Sequence, residues 1–486
     1  MTDEDIVILP GESKPISKAK SPAKLRARYD AAQTTTENTA HWSAADYLSA
    51  RSSNTPSIRR TLRARSRYET ANNGYAAGIT ETLANYVIGT GPRLQLLTKD
   101  PQINRRVEQL FSQWSRRTHY ARKLWVMRFS SAVDGESFGV FSTNYASRDP
   151  VKLDLKVIEA DRVADPRAVF NSQQLNDGIF YDDFGNPTAY TILREHPGDL
   201  GFLSANTEYD LVRAEFVVHL FKARRPEQVR GVPEMTPTMQ LFADLRRYSA
   251  SVLAAAETAA NISAIGRSIA PPDTTSEGAP VPWEEVDIPR RSMLMLPDGY
   301  DITQLRAEQP TTTYSMFIEE KLGEAGRPFS MPLNIAMAKS AGYNFSSAKL
   351  DFAMFDKAIG IDQFRVEEDV CEPTLEQWFN EARMIAGYLP DGLDFSDGLP
   401  PHEWFWDGQE QLDPRENGSR ATAIQYGIDT IPRIFAKKGL DYEVEQSAMA
   451  ASLGMSVEEY RRRLAQNIFA SQQVDEVTTE EDDDDA

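Results

Sequence analysis

The chain has 486 residues, enough for roughly two to four core-bearing modules. Its 53 Lys and Arg against 72 Asp and Glu leave a net charge of -19, which excludes a surface built throughout to grip DNA or anionic membrane. The lone Cys371 excludes an internal disulfide framework, and no signal-like core or run of roughly 18 apolar residues occurs, so the sequence predicts a protein made in the cytosol. Residues 1–58 read as a mobile arm, polar and rich in Ser, Thr, Lys and Pro over the first 40. Positive charge is concentrated there: from Lys14 to Arg67 there are twelve Lys or Arg against three Asp or Glu. A helix is expected from Arg59 to Val87, broken near Asn72-Asn73-Gly74. Gly89, Gly91 and Pro92 stop it, and Arg93 to Leu96 begins a strand. Ile103, Val107, Leu110, Phe111 and Trp114 mark an amphipathic helix, and another is expected from Tyr120 to Val133. Asp134-Gly135 is a turn into a strand over Ser137 to Thr143.

From 151 to 222 the period changes. Leu153, Leu155 and Val157 alternate with polar residues, and Phe180 to Leu193 reads as a β-hairpin around Asp183-Phe184-Gly185-Asn186. Phe216 to Phe221 is a further short strand. A long helix is expected from Thr236, with Pro237 at its first position, to Gly266, about 45 Å at 1.5 Å per residue. Its second half is small: Ala254, Ala255, Ala256, Ala259, Ala260, Ser263 and Ala264 allow close approach of a neighbour. A Pro-rich insertion follows to Tyr300, with a short strand at Ser292 to Leu296. Thr311 to Gly326 resumes a helix, and Pro328, Pro332 and Gly342 bracket an irregular stretch. Ser346 or Ser347 starts a second long helix through Leu350, Phe355, Ile359, Phe364 and Val370, kinked at Pro373 and continuing through Leu375, Trp378 and Phe379. Helices are expected over Asp413 to Ala436 and Ser456 to Phe469, and the acidic end, 471–486, reads as disordered.

Candidate catalytic and metal sites are weak. Gly135-Glu136-Ser137-Phe138-Gly139 matches the nucleophile-elbow pattern, but that pattern needs a strand followed by a helix, and here the order is helix, turn, strand. His41, His119, His196, His219 and His402 are scattered with no metal-binding spacing. Asp161, Asp165, Asp182 and Asp183 fit no calcium loop and suit turns. Gly89-Thr90-Gly91 lacks the strand and third glycine of a dinucleotide fingerprint. No cofactor, metal or catalytic residue is therefore assigned, and an enzyme is not expected.

Several stretches nevertheless carry a recognisable wording. They are Tyr68 to Gly78 (YETANNGYAAG), Asn85 to Leu97 (NYVIGTGPRLQLL), Asp134-Gly135-Glu136, Val157 to Arg162 (VIEADR), Gly178 to Pro187 (GIFYDDFGNP) and His219 to Pro233 (HLFKARRPEQVRGVP). Asn344 to Lys349 (NFSSAK), Leu412-Asp413-Pro414 and Lys438 to Asp441 (KGLD) follow in order. Together, from about Arg59 to Gly439, the sequence resembles the lambda-type bacteriophage portal protein family. It departs from the family at Met337 to Gly342, where a Gly- and Asp-containing loop is usual.

The resemblance implies an α+β portal fold: a β-rich wing, two stem helices, a clip insertion, a kinked long helix and a helical crown. Mapped on this chain, 59–235 is the wing, 236–266 the first stem helix, 267–310 the clip and 311–327 the second stem helix. The tunnel loop is 328–345, the long kinked helix and return to the wing 346–400, and the crown 401–470. It also implies a homo-oligomeric ring of about twelve subunits closed by heterologous contacts at one capsid vertex. Double-stranded DNA would pass through its channel during packaging by a terminase and later ejection. The implied partners are the terminase large subunit, the major capsid protein and a head–tail adaptor, with no membrane insertion. The location would be the virion, after assembly in the host cytoplasm. The channel candidates are Lys339, Ser340 and Asn344 in and beside the loop, and Arg246 and Arg247 near one stem end. Two other readings stay open: a serine hydrolase using Ser137, and a capsid scaffold without a channel.

Overall fold

A computed structural model describes residues 41–165, 175–199, 208–261, 265–268, 300–303, 313–339, 341–342, 344–396, 398–408, 420, 422–437 and 440–480. The chain divides into two compact units, Met1–Ser53 and Asn54–Ala486. Of the first unit, residues 41–53 are described; they carry local turns, such as Ser53 N–H on Ser49 C=O.

Helix α1, Pro56–Asn72, opens on a proline, where the missing N–H costs nothing. The expected break at Asn72-Asn73-Gly74 is a junction of two helices: Asn73 closes α1 on Glu69 C=O, while its side chain accepts from the Tyr75 and Ala76 amides and caps α2, Gly74–Ile88. Strand β1, Arg93–Leu96, is followed by α3, Pro101–Arg117, capped by Asp100, and by α4, Tyr120–Asp134. The apolar stripe of α3 is buried as its spacing predicts: Val107, Leu110, Phe111 and Trp114. Gly135 then turns the chain at φ +90; a Cβ there would meet Val232 backbone at 2.4 Å, so only glycine fits.

Strand β2, Glu136–Thr143, is central in an antiparallel sheet between β3, Leu153–Ile158, and β8, Val217–Phe221. A second sheet is a meander in sequence order: β4 (Leu175–Asn176), β5 (Ile179–Tyr181), β6 (Pro187–Leu193) and β7 (Tyr209–Arg213). The expected hairpin is β5–β6, and Asp182 organises its turn by accepting from the Phe184 and Asn186 amides. A cluster around Phe138, Ile158, Ile179, Tyr190 and Ile192 fills the space between the sheets. The main core gathers Phe111, Trp114, Tyr120, Phe242, Trp378 and Phe379 from helices spread along the chain.

The first long helix is shorter than expected. A 3₁₀ turn, Thr236–Thr238, leads into α5, Met239–Asn261, and Gly266 lies in a strand, β9 (Ile265–Ser268). β9 pairs antiparallel with β10, Tyr300–Thr303. A far-downstream partner supplies the backbone hydrogen bonds, and local periodicity carries no trace of it. The expected strand Ser292 to Leu296 lies outside the described residues. Helix α6, Thr313–Gly326, packs on α5 through Leu245, Ile318 and Leu322, and Tyr248 stacks on Tyr314.

The stretch expected to be irregular contains a 3₁₀ turn, Arg327–Phe329, and a short helix α7, Leu333–Ala336. Helix α8, Phe345–Val366, is capped by Asn344 and passes through a π-turn, Glu367–Cys371, into α9, Glu372–Ala382. Pro373 thus interrupts the helix without ending it. The disturbance falls one turn earlier, where Glu372 N–H reaches back five residues to Glu367 C=O.

β11, His402–Phe405, is a strand on β1. Of the stretch expected to be helical over Asp413 to Ala436, residues 413–419 and 421 lie outside the described residues; the rest turns at Gly427 (φ +68) and restarts as α10, Ile431–Lys437. An unexpected helix, α11 (Tyr442–Ser452), is capped by Asp441. The last helix, α12, runs from Val457 to Glu480, so the tail expected to be disordered from 471 is helical to 480. No Gly or Pro occurs between Val457 and Glu480, so no local breaker stops the helix at 471. No helix among the described residues is long and apolar enough to cross a membrane.

Candidate functional site

The channel candidates sit on the α5–α6 pair and the loop after it. Arg246 pairs with Glu69 of α1 at 3.0 Å and lies over the Tyr68 ring at 5.0 Å. Arg247, one residue on, is far more exposed and makes a local contact with Asp244 at 3.0 Å. Lys339 Nζ lies 2.7 Å from Glu319 of α6, tying the loop to that helix. The Asn344 side chain accepts from Ser347 N–H at 2.8 Å as the cap of α8. Ser340 lies outside the described residues. The structure therefore brings Lys339 to α6, while Arg246 is engaged with α1.

Behind these elements is a buried ionic cluster that the sequence reading missed. Arg59, Arg63 and Arg67 recur every fourth residue on α1, hence on one face. Arg63 contacts Glu136 and, at 2.9 Å, Asp161; Arg67 forks onto Asp134 at 2.7 and 3.0 Å. Arg59 pairs with Asp177. From the loop before α5, Arg230 reaches Glu136 at 2.7 Å and Asp177 at 3.1 Å, and Gly231 N–H donates to Glu136 at 2.9 Å. The periodic arginines were the available signal; their acidic partners come from three separate segments, at Asp134 and Glu136, at Asp161 and at Asp177.

Glu136 is fully buried. Burial alone would push its carboxyl up, but Arg230 and Arg63, with the His219 hydrogen bond at 3.0 Å, hold it well below the usual glutamate range. Burial dominates at His219, whose pKa is lowered despite Glu136, so the neutral imidazole donates from Nε2. Its ring is stacked between Phe138 and Phe221, with centroids 4.1 and 4.4 Å away. A second buried cluster joins α4 to α8: Arg128 lies 2.7 Å from both Glu234 and Asp362.

The same sheet decides the case of Ser137. On β2, Phe138 lies opposite His219 and Ser137 opposite Leu220. Ser137 and His219 therefore point to opposite faces, and no hydrogen bond joins them. Ser137 is buried, and its hydroxyl has no hydrogen-bond partner among the described residues. A nucleophile needs a base within reach and an open approach, and this serine has neither. One group of potential metal ligands occurs among the described residues: Glu159, Asp161 and His196, with ligand atoms within 4.8 Å of one another. Arg67 lies 2.8 Å from Asp161 and places a positive charge beside any cation, so the group reads as an ion-paired turn.

The wording that carried the resemblance thus converges in space. Asp134-Gly135-Glu136, Asp161, His219 and Arg230 to Pro233 all meet around Glu136. The structure described as "Neck of empty GTA particle computed with C6 symmetry" is similar with a TM-score of 0.50 at 13% identity, over 79% of this chain and 94% of that chain. "Neck of native GTA particle computed with C12 symmetry" gives a TM-score of 0.47 at 14% identity, over the same shares of 79% and 94%. A "Probable portal protein" of Halomonas phage phiHAP-1 is 27% identical over 407 residues, 78% of this chain and 77% of that protein. The family described as "Phage portal protein, lambda family" matches residues 35–363, well over half the length, and the chain belongs to that family.

Proposed function

We propose that copies of this chain close into a ring at one capsid vertex and form the channel through which double-stranded DNA is packaged and ejected. One observation carries the ring. On α8, Phe355, Ile359 and Val366 are buried, yet Leu350, Met354, Ile361 and Phe364 on the helix's other side are each 57–63% exposed. Their spacing of four, seven and three keeps them on one stripe. Fully burying such side chains is worth about 1.5–3 kcal/mol each, so a neighbouring copy laid on this stripe gains strongly. Exposed Leu253 on α5 and Met316 and Phe317 on α6 extend the uncovered surface to the helices assigned as the stem. The interface is heterologous, one face against a different face of the next copy, with a rotation that closes at about twelve.

In this reading α5 and α6 are the two stem helices, and β9 and β10 are the base of the clip, which faces the terminase and later the head–tail adaptor. The loop carrying Lys339 is the tunnel loop. A net charge of -19 on each copy repels the phosphate backbone and keeps the duplex centred, while Lys339 and Arg247 supply brief contacts. The energy for packaging comes from a separate ATPase. Negative-stain images of the purified chain with a measured particle mass test the proposal. Rings with a central hole are expected; compact monomers at every concentration would end it, and solid particles without a hole would favour a scaffold.

A further inference from the structure

The chain is acidic overall, yet its positive charge is not evenly spread. Between Arg105 and Lys123 there are six Lys or Arg and one acid, Glu108. This stretch is the α3–α4 corner. Only Thr118 and His119 separate the two helices, and His119 sits at φ +55, a left-handed conformation that a non-glycine residue rarely adopts. The tight corner turns Arg116, in the last turn of α3, and Arg122, in the first turn of α4, toward one groove of 960 Å³ that Arg93 and Arg105 also line. Arg93 and Arg105 are paired, with Asp407 and Glu443. The Arg116 and Arg122 side chains are exposed and make no hydrogen bond or ion pair to any described residue.

The opposite wall includes Asp441 and Val444, at the start of α11. α11 is joined to α12 by the short turn 453–456, and the two pack together, with Arg461 on Gln446 at 2.8 Å. Such a short connection makes them antiparallel neighbours, so α12, 24 residues against 11 in α11, runs back past the α11 end that lines the groove by roughly 20 Å at 1.5 Å per residue. α12 ends at Glu480, the first of six consecutive acids, Glu480 to Asp485.

We propose that this acidic C-terminal segment docks in the arginine groove at the α3–α4 corner. Glu108 and Asp441 also line the groove, so the complementary charge is that of Arg116 and Arg122, and the segment leaves the chain from the helical layer that builds one wall. Tethering holds it at high effective concentration, an advantage that free DNA lacks. The inference concerns a surface distinct from the stem and does not rest on ring closure.

The test places a photo-crosslinking benzoylphenylalanine at Ala486 of the full chain and maps the adducts by mass spectrometry. Adducts on the 105–123 stretch are expected. The double substitution Arg116→Glu and Arg122→Glu should reduce them about tenfold, as should added salt, since exposed ion pairs are screened. Both sites are exposed, and an unchanged circular dichroism spectrum verifies the fold. Adducts elsewhere, or a yield indifferent to the double substitution, would overturn the proposal. So would a short DNA duplex that binds through Arg116 and Arg122 while the adducts map to another surface, which would make the groove a nucleic-acid site.

Discussion

Replacing Glu136 by Gln tests whether the buried cluster holds the wing together. The carboxylate accepts from Arg63, from Arg230 Nε and Nη2, from His219 and from Gly231 N–H, all inside the protein. Gln keeps the shape but removes the charge and turns an NH₂ toward guanidinium donors. Breaking a buried ion pair by neutralising one partner costs about 3–5 kcal/mol. Arg63 retains Asp161 and Arg230 retains Asp177, which places the expected loss near the lower bound, about 3 kcal/mol or about 10²-fold in the unfolding equilibrium. Urea unfolding followed by tryptophan fluorescence reads it, with Arg194→Ala as an exposed-pair control expected to leave the midpoint unchanged. The pH dependence adds a second signature. The folded carboxyl titrates below its ordinary value, so its contribution is full above the unfolded glutamate pKa and is lost as pH falls through the folded pKa. His219 is also lowered, so it favours the fold above the ordinary histidine pKa and opposes it as pH falls below that value. In the Gln variant the glutamate part of this acid loss disappears. A shift of less than about 1 kcal/mol at neutral pH, or an unchanged acid limb, would show that the cluster is not what fixes α1 to the sheet.

Ser137→Ala should leave stability unchanged or slightly raised, because it removes a buried hydroxyl without a partner; fluorophosphonate labelling of the native chain that disappears in this variant would instead revive the hydrolase. Lys339→Glu sets two carboxylates together beside α6 and should lower DNA packaging efficiency without preventing ring formation; unaltered packaging would remove Lys339 from the channel. The pair Ile361→Asp and Phe364→Asp, on the uncovered stripe of α8, should give folded monomers by light scattering, whereas intact rings would move the subunit interface elsewhere. Gly135→Ala should destabilise the chain by at least about 1 kcal/mol in the same urea assay, since both the positive φ and the Val232 backbone reject a Cβ; a neutral result would contradict the described turn.

What the sequence determined by itself depends on near neighbours. The break at Asn72 to Gly74, the stripe from Val107 to Trp114, the turn at Asp182 to Asn186 and the passage through Pro373 all follow from interactions within a few residues. Family wording was legible for the same reason, since short motifs survive as local text. What only the tertiary structure decided involves partners far apart. Helix α5 stops at Asn261 and gives way to β9, which pairs with β10, and β11 finds β1 across most of the chain. The arginines of α1 were visible as a stripe, but a stripe of charges ordinarily faces water. Only the acids brought in by β2, the Asp161 turn and the Asp177 turn make it an interior one, because a buried guanidinium persists only where opposite charge and hydrogen bonds replace the water it has lost.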